Sequence, residues 1–129
     1  MRQILDDHSR RTGWRAQFQA QEDLERADGE IETACFRIAL EALTNVVRHA
    51  KAKNVSVELS KADQFLHFTV RDDGIGFDLV EAEKKVQRER LGLIGMRERA
   101  VAVGGLLECK SEPGKGTELH AFLPFKSSR

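Results

Sequence analysis

The sequence has no excess of charge of either sign: among its 129 residues Lys plus Arg number 21 and Asp plus Glu number 21, for a formal net charge of zero. Without a basic field there is no long-range pull toward nucleic acid or an anionic membrane surface, so neither is expected as a partner. Cysteine is scarce as well. Cys35 and Cys109 stand far apart, each inside a patterned apolar segment, with no CxxC spacing and no histidine cluster beside them. That leaves no metal-binding or disulfide pattern, and both read as buried, reduced thiols in a reducing compartment. Long apolar runs are absent: none approaches the roughly 20 residues of a membrane span. The N-terminus has no signal-like apolar stretch. A soluble, cytoplasmic domain is expected, whether or not a full-length protein is membrane-anchored. Repeats, low-complexity tracts and linkers are missing too, so the chain reads as one domain, 1–129, large enough for a single two-layer core.

What the chain does have is 40% hydrophobic residues with 33% charged ones, a globular composition with a well-solvated surface. Ile4 and Leu5 among mixed charges predict a short helix ending near Gly13. Trp14, Ala16 and Phe18 alternate with Arg15, Gln17 and Gln19, the period of a strand with one wet face, and its isolation from the later strands makes it a candidate edge. Asp28-Gly29-Glu30 breaks the pattern and starts a helix, with acidic groups at its positive end. Phe36, Ala39, Leu40, Leu43, Val46, Val47 and Ala50 then recur at spacings of three and four, which predicts the longest helix. Val55, Val57 and Leu59, a turn over residues 61–64, and Leu66, Phe68 and Val70 predict a hairpin. A helix through Met96, Ala100, Val101 and Val103 closes at Gly104-Gly105. Leu106, Leu107 and Cys109, a Pro-Gly turn, and Leu119, Ala121 and Leu123 predict two more strands. Residues 78–90, dominated by Glu, Lys, Gln and Arg, read as a partly helical lid.

The hairpin feeds Asp72-Asp73-Gly74-Ile75-Gly76-Phe77. Glycine lacks a Cβ, so Gly74 and Gly76 let backbone come close to a flat or phosphorylated ligand. The carboxylate of Asp72 offers only acceptors and suits an amine donor such as a purine amino group. On the long helix Glu41, Asn45 and Arg48 fall on one face, with His49 beside them. The Asn45 amide oxygen is a hard ligand suited to Mg²⁺. Arg48 supplies a permanent charge for phosphate, and Glu41 can polarise a nucleophile. Gly92 and Gly95, expected at a helix N-terminus, offer N–H groups to a polyphosphate. The plainer alternative for each set is an ordinary turn or the wet side of an amphipathic helix.

Four segments in one order resemble a known family. Glu41-Ala42-Leu43-Thr44-Asn45 looks like an N box, Asp72-Asp73-Gly74-Ile75-Gly76 like a DxGxG box, Gly92-Leu93-Ile94-Gly95-Met96 like a second glycine box, and Gly114-Lys115-Gly116-Thr117 like a closing motif. Together they resemble the GHKL superfamily of gyrase, Hsp90, histidine kinases and MutL over nearly the whole chain. Asn45-Val46-Val47-Arg48-His49-Ala50 and Gly92-Leu93-Ile94-Gly95-Met96-Arg97-Glu98-Arg99 look most like sensor histidine kinases of the nitrate-sensor type. The resemblance implies an α/β fold, a two-layer sandwich in which a mixed sheet carries its helices on one face. It also implies ATP and Mg²⁺ as cofactors: Asp72 on the adenine amino group with Thr117 assisting through water, Asn45 on the metal, Arg48 and His49 on the phosphates. Gly74 and Gly76 would keep the adenine floor open, Gly92 and Gly95 would shape the lid hinge, and Leu93 and Met96 of the same box would join them in binding the nucleotide.

Two departures qualify the resemblance. Many histidine kinases have Asn at the position of Glu41, whereas ATP-hydrolysing branches have Glu there as general base, so slow hydrolysis is open to this chain. A histidine kinase also needs a phosphoacceptor histidine on a dimerising helix pair, and His8, His49, His67 and His120 offer none in that setting. The expected identity is therefore the catalytic domain of a longer, homodimeric kinase, acting on a histidine of an absent upstream dimerisation domain and upstream of a response regulator. The alternatives are a stand-alone GHKL serine kinase of the anti-sigma type and a nucleotide-binding module without transfer activity.

Overall fold

The period-two segments form five strands in a computed structural model, which describes residues 15–20, 27–46, 52–76 and 88–125. In chain order the elements are β1 (Arg15–Ala20), α1 (Gly29–Asn45), β2 (Asn54–Ala62), β3 (Phe65–Asp72), α2 (Arg88–Ala102), β4 (Leu106–Ser111) and β5 (Thr117–Pro124). The strands form one sheet in the order β1-β2-β3-β5-β4. β1 pairs parallel to β2 and every other pairing is antiparallel. The sheet is therefore mixed, and β1 is an edge, as its isolation from the later strands predicts. Trp14 and the expected N-terminal helix lie outside the described residues.

Alternation decides which way each strand faces. Val55 and Val57, then Leu66, Phe68 and Val70, then Leu119, Ala121 and Leu123, with Leu107, point to the helix layer and are buried. Their sequence neighbours Glu58, His67, Arg71, Glu118 and His120 take the other face. There Arg71 bridges Glu58 at 3.3 Å and Glu118 at 3.2 Å across three strands. Both partners of each pair are well exposed, so this ladder contributes little more than register. The β2–β3 hairpin closes through Asp63 and Gln64, both in the left-handed region at φ 53° and 66°. A two-residue loop needs that conformation to match the strand twist. Gln64 adopts it without being glycine, and its carbonyl accepts the Phe125 N–H at 2.7 Å.

α1 starts where Asp28 accepts the Glu30 N–H at 2.9 Å, with Glu30 and Glu32 in the first turn near the positive end of the dipole. Its buried stripe is Ile31, Ala34, Cys35, Ile38, Ala39, Ala42, Leu43 and Val46. This corrects the expected stripe at two places: Phe36 and Leu40 are 46% and 41% exposed. At about 100° per residue both lie round the helix from the axis through Ile31, Ile38 and Ala42, and the small Ala34, Ala39 and Ala42 let the helix approach the sheet.

α2 differs from expectation at its start. It begins at Arg88 and runs through both Gly92 and Gly95 rather than beginning after them, and it buries Leu93, Met96 and Ala100. It ends as predicted. The Gly104 N–H donates to the Val101 carbonyl at 2.9 Å and the Gly105 N–H to the Ala100 carbonyl at 2.8 Å, with Gly104 at φ +86°, the paired bonds of a Schellman stop. The two helices pack on each other and on β3, β4 and β5, closing one hydrophobic core.

The two stop glycines differ in what a side chain would meet. A Cβ on Gly104 finds only Pro124 Cγ at 3.5 Å, whereas one on Gly105 would lie 2.2 Å from the Phe122 carbonyl oxygen. Gly104→Ala should therefore cost about 1 kcal/mol, the left-handed penalty alone. Gly105→Ala should cost more, because the backbone of β5 must shift. Urea midpoints of the two variants check that order.

Candidate functional site

β3 ends at Asp72, which the sheet register places opposite Thr117, the first residue of β5. The loop after Asp72 and the tip of the β4–β5 hairpin then lock together. The Gly114 N–H donates to the Ile75 carbonyl at 2.6 Å. A Cβ on Gly76, at φ +63°, would lie 2.1 Å from the Glu112 carbonyl oxygen, and one on Gly116, at φ +79°, would lie 2.1 Å from that of Asp72. Gly76 thus admits protein backbone: its missing side chain is occupied by the hairpin.

The acidic pair divides its labour. Asp73 is exposed and structural: its Oδ1 accepts the N–H groups of Lys53 and Asn54 at 2.9 Å each, and its Oδ2 accepts from Asn54 Nδ2 at 2.6 Å. These bonds, those of Asn54 foremost, hold its carboxyl below the usual range and fasten the start of β2. Asp72 is half-buried. Its Oδ1 accepts the Gly74 N–H at 2.9 Å. Burial pushes its carboxyl above the usual range against the bonds from Gly74 and Thr117, and the charge of Asp73 adds to the rise. Two N–H groups leave acceptor capacity on a carboxylate, and Asp72 borders a cavity of about 540 Å³ with Cys109, Ser111, Lys115 and Thr117. Ser111, which the motif reading missed, lies 2.8 Å from Thr117 Oγ1 and donates to the Gly116 carbonyl at 3.1 Å. The β4–β5 register sets it opposite Thr117, a pairing that exists only in the folded sheet.

A second cluster forms where α1 meets α2. A Cβ on Gly92 would lie 2.5 Å from Glu41 Oε1 and 3.5 Å from Asn45 Nδ2, so both side chains lie over that glycine. The N box and the second glycine box are thus in direct contact. Gly92 and Gly95 lie past the first turn of α2, where N–H groups have intrahelical partners, so the expected helix N-terminus at these glycines is not found. Gly95 has open space around a Cβ position. Leu93 and Met96, named as part of the same box, are 8% and 1% exposed and belong to the core. Arg48 and His49 lie outside the described residues, as does most of the expected lid.

Mixed sheet, helix layer and the two motif clusters define a two-layer α/β sandwich. Residues 30–127 match the family described as histidine kinase-, DNA gyrase B-, and HSP90-like ATPase, and the chain belongs to that family. Among curated proteins it is similar to an uncharacterized sensor-like histidine kinase of Chloroflexus aurantiacus, 40% identical over 107 residues, 81% of this chain and 18% of that protein. It is also similar to the signal transduction histidine-protein kinase/phosphatase DegS of Bacillus subtilis, 33% identical over 100 residues, 78% of this chain and 26% of that one. The chain thus spans about a fifth to a quarter of the relatives it matches. Among solved structures, full-length ShkA in complex with AMPPNP superposes with a TM-score of 0.79 at 24% identity, over 98% of this chain and 29% of that one. The histidine kinase domain of the blue-light activated kinase of Erythrobacter litoralis EL346 gives 0.73 at 23% identity, over 95% of this chain and 58% of that one. At these identities the two structures establish the fold.

The two aspartates should respond oppositely to pH. The lowered carboxyl of Asp73 stabilises the fold above the ordinary Asp range, and that contribution is lost as pH falls through its folded value. The raised carboxyl of Asp72 favours the fold in acid, and its contribution is lost as pH rises through its folded value. Asp73→Ala is expected to cost about 1–2 kcal/mol at pH 7, a deficit that shrinks on acidification. Asp72→Asn should be neutral or stabilising at pH 7. Denaturant midpoints at neutral and acid pH measure both.

Proposed function

We propose that the chain is the ATP-binding catalytic domain of a two-component sensor histidine kinase of the nitrate-sensor type, working in the cytoplasm as part of a homodimeric protein. The observation that carries this reading is the half-buried Asp72 carboxylate, oriented by the Gly74 N–H at 2.9 Å and bordering a cavity with Thr117. An acceptor fixed in that way selects a ligand with an amino group, and the exocyclic amine of adenine meets the requirement. Thr117 would assist through water.

The phosphate end of the nucleotide falls to α1. Glu41 and Asn45, side by side over Gly92, are a carboxylate and a carboxamide, oxygen donors of the hard type that Mg²⁺ prefers. The donor chemistry fits the ion, with Asn45 as its ligand. Bound there, Mg²⁺ would neutralise charge on the transferring phosphoryl group. Arg48 and His49 would meet phosphate oxygens, and Gly92 and Gly95 would shape the side of the cleft next to the lid. Glu41 beside the phosphates could hold a water, so slow hydrolysis accompanies the reading. The acceptor is a histidine on an upstream dimerisation domain, and a response regulator receives the phosphoryl group in turn. The raised carboxyl of Asp72 adds a pH signature, since the ionised form accepts an amino group more strongly than the protonated one.

Calorimetric titration with ATP, with and without Mg²⁺, tests the assignment. Asp72→Asn should weaken ATP binding roughly ten- to hundredfold, the worth of a hydrogen bond to a charged group. Asn45→Ala should remove the Mg²⁺-dependent part of the affinity while its circular dichroism spectrum stays that of the wild type. Affinity unaltered in either variant would take that residue out of the site. Phosphorylation of a supplied dimerisation domain then separates a kinase from a module that only binds nucleotide.

A further inference from the structure

The outward face of the sheet carries a side-chain cluster for which the nucleotide has no use. His67 on β3 and His120 on β5 are diagonal neighbours, because the register sets Phe122 opposite His67 and Thr69 opposite His120. Their rings approach so that His67 Nδ1 lies 3.3 Å from His120 Nε2. Phe122 walls the pair, stacked on His120 at 4.0 Å between centroids and edge-on to His67 at 5.1 Å. The nitrogen separation has a chemical meaning. Two Zn–N bonds of about 2.0–2.1 Å, opened to a tetrahedral angle, put their nitrogens roughly 3.3–3.4 Å apart.

The far nitrogen of His67 points the same way. Its Nε2 lies 3.3 Å from the Ala62 carbonyl oxygen. A carbonyl can only accept, so Nε2 carries the ring proton and Nδ1 presents its lone pair to His120. A backbone carbonyl on the non-ligating nitrogen is the arrangement that fixes the tautomer of a metal-bound histidine.

We propose that His67 Nδ1 and His120 Nε2 form a two-point site for a zinc ion or a divalent ion of similar softness, with water completing the coordination. Among the described residues no third His, Cys, Asp or Glu joins them, so the site is open and its ion exchangeable, unlike a closed structural zinc site. In the metal-free protein His120 Nε2–H donates to His67 Nδ1. When the ion binds, that proton moves to His120 Nδ1, and no proton is released overall. The ion would tie β3 to β5, the two strands that carry Asp72 and Thr117.

Zinc chloride titrated into the ¹⁵N-labelled chain, followed through the imidazole nitrogen resonances, tests this on the wild-type protein. The signals of His67 Nδ1 and His120 Nε2 should move, while that of His67 Nε2 keeps the character of a protonated nitrogen. By calorimetry His67→Ala and His120→Ala should each weaken zinc binding roughly tenfold or more, with circular dichroism and nucleotide affinity unchanged. Ring nitrogens that stay still at excess zinc overturn the proposal, as does zinc affinity that survives in both variants.

Discussion

The backbone of Gly116 lies so close to that of Asp72 that an added Cβ would sit 2.1 Å from the Asp72 carbonyl oxygen. That contact is the constraint from which the site follows. It seats the β4–β5 hairpin against the end of β3, and Gly76 against Glu112 repeats the contact on the other side. With both loops pinned, the carboxylate between them has one orientation, set by a backbone N–H two residues further on. The glycines of this motif act first on the protein itself, and the ligand meets a surface already fixed.

A half-buried acid in that position is a deliberate strain. Desolvation opposes its charge while two N–H groups favour it, and desolvation prevails. The next residue carries the opposite solution: Asp73 stays in water and spends its acceptors on the start of β2. Two neighbouring aspartates thus take separate tasks, one holding the scaffold and one held ready for a partner.

Much of this was legible in the sequence because alternation and capping are local. Asp28 before Gly29, the strand period around Phe68, and the Gly104-Gly105 stop each predict an element that the structure contains. The misreadings came from geometry that no short window holds. Phe36 and Leu40 satisfied the spacing rule yet lie off the buried stripe, three of whose eight residues are alanines that carry little hydrophobic signal. Gly92 and Gly95 suggested a helix start, but the helix runs through them, and Gly92 serves to let Glu41 and Asn45 lie against α2. Asp73 and Ser111 went unassigned because their partners are Lys53 and Asn54 at the start of β2 and Thr117 on β5, pairings made only by the folded sheet. The same holds for His67 and His120, 53 positions apart in sequence.

β1 meets the sheet at one point of particular leverage. The Arg15 N–H donates to the Lys53 carbonyl at 2.8 Å, the Lys53 N–H to Asp73 at 2.9 Å, and Asp73 is bonded through the chain to Asp72. Edge strand and ligand-facing acid are therefore mechanically in series, separated by two hydrogen bonds and one peptide unit. A shift of β1 at Arg15 is therefore passed through the Lys53 amide to Asp73, one residue from the ligand-facing acid.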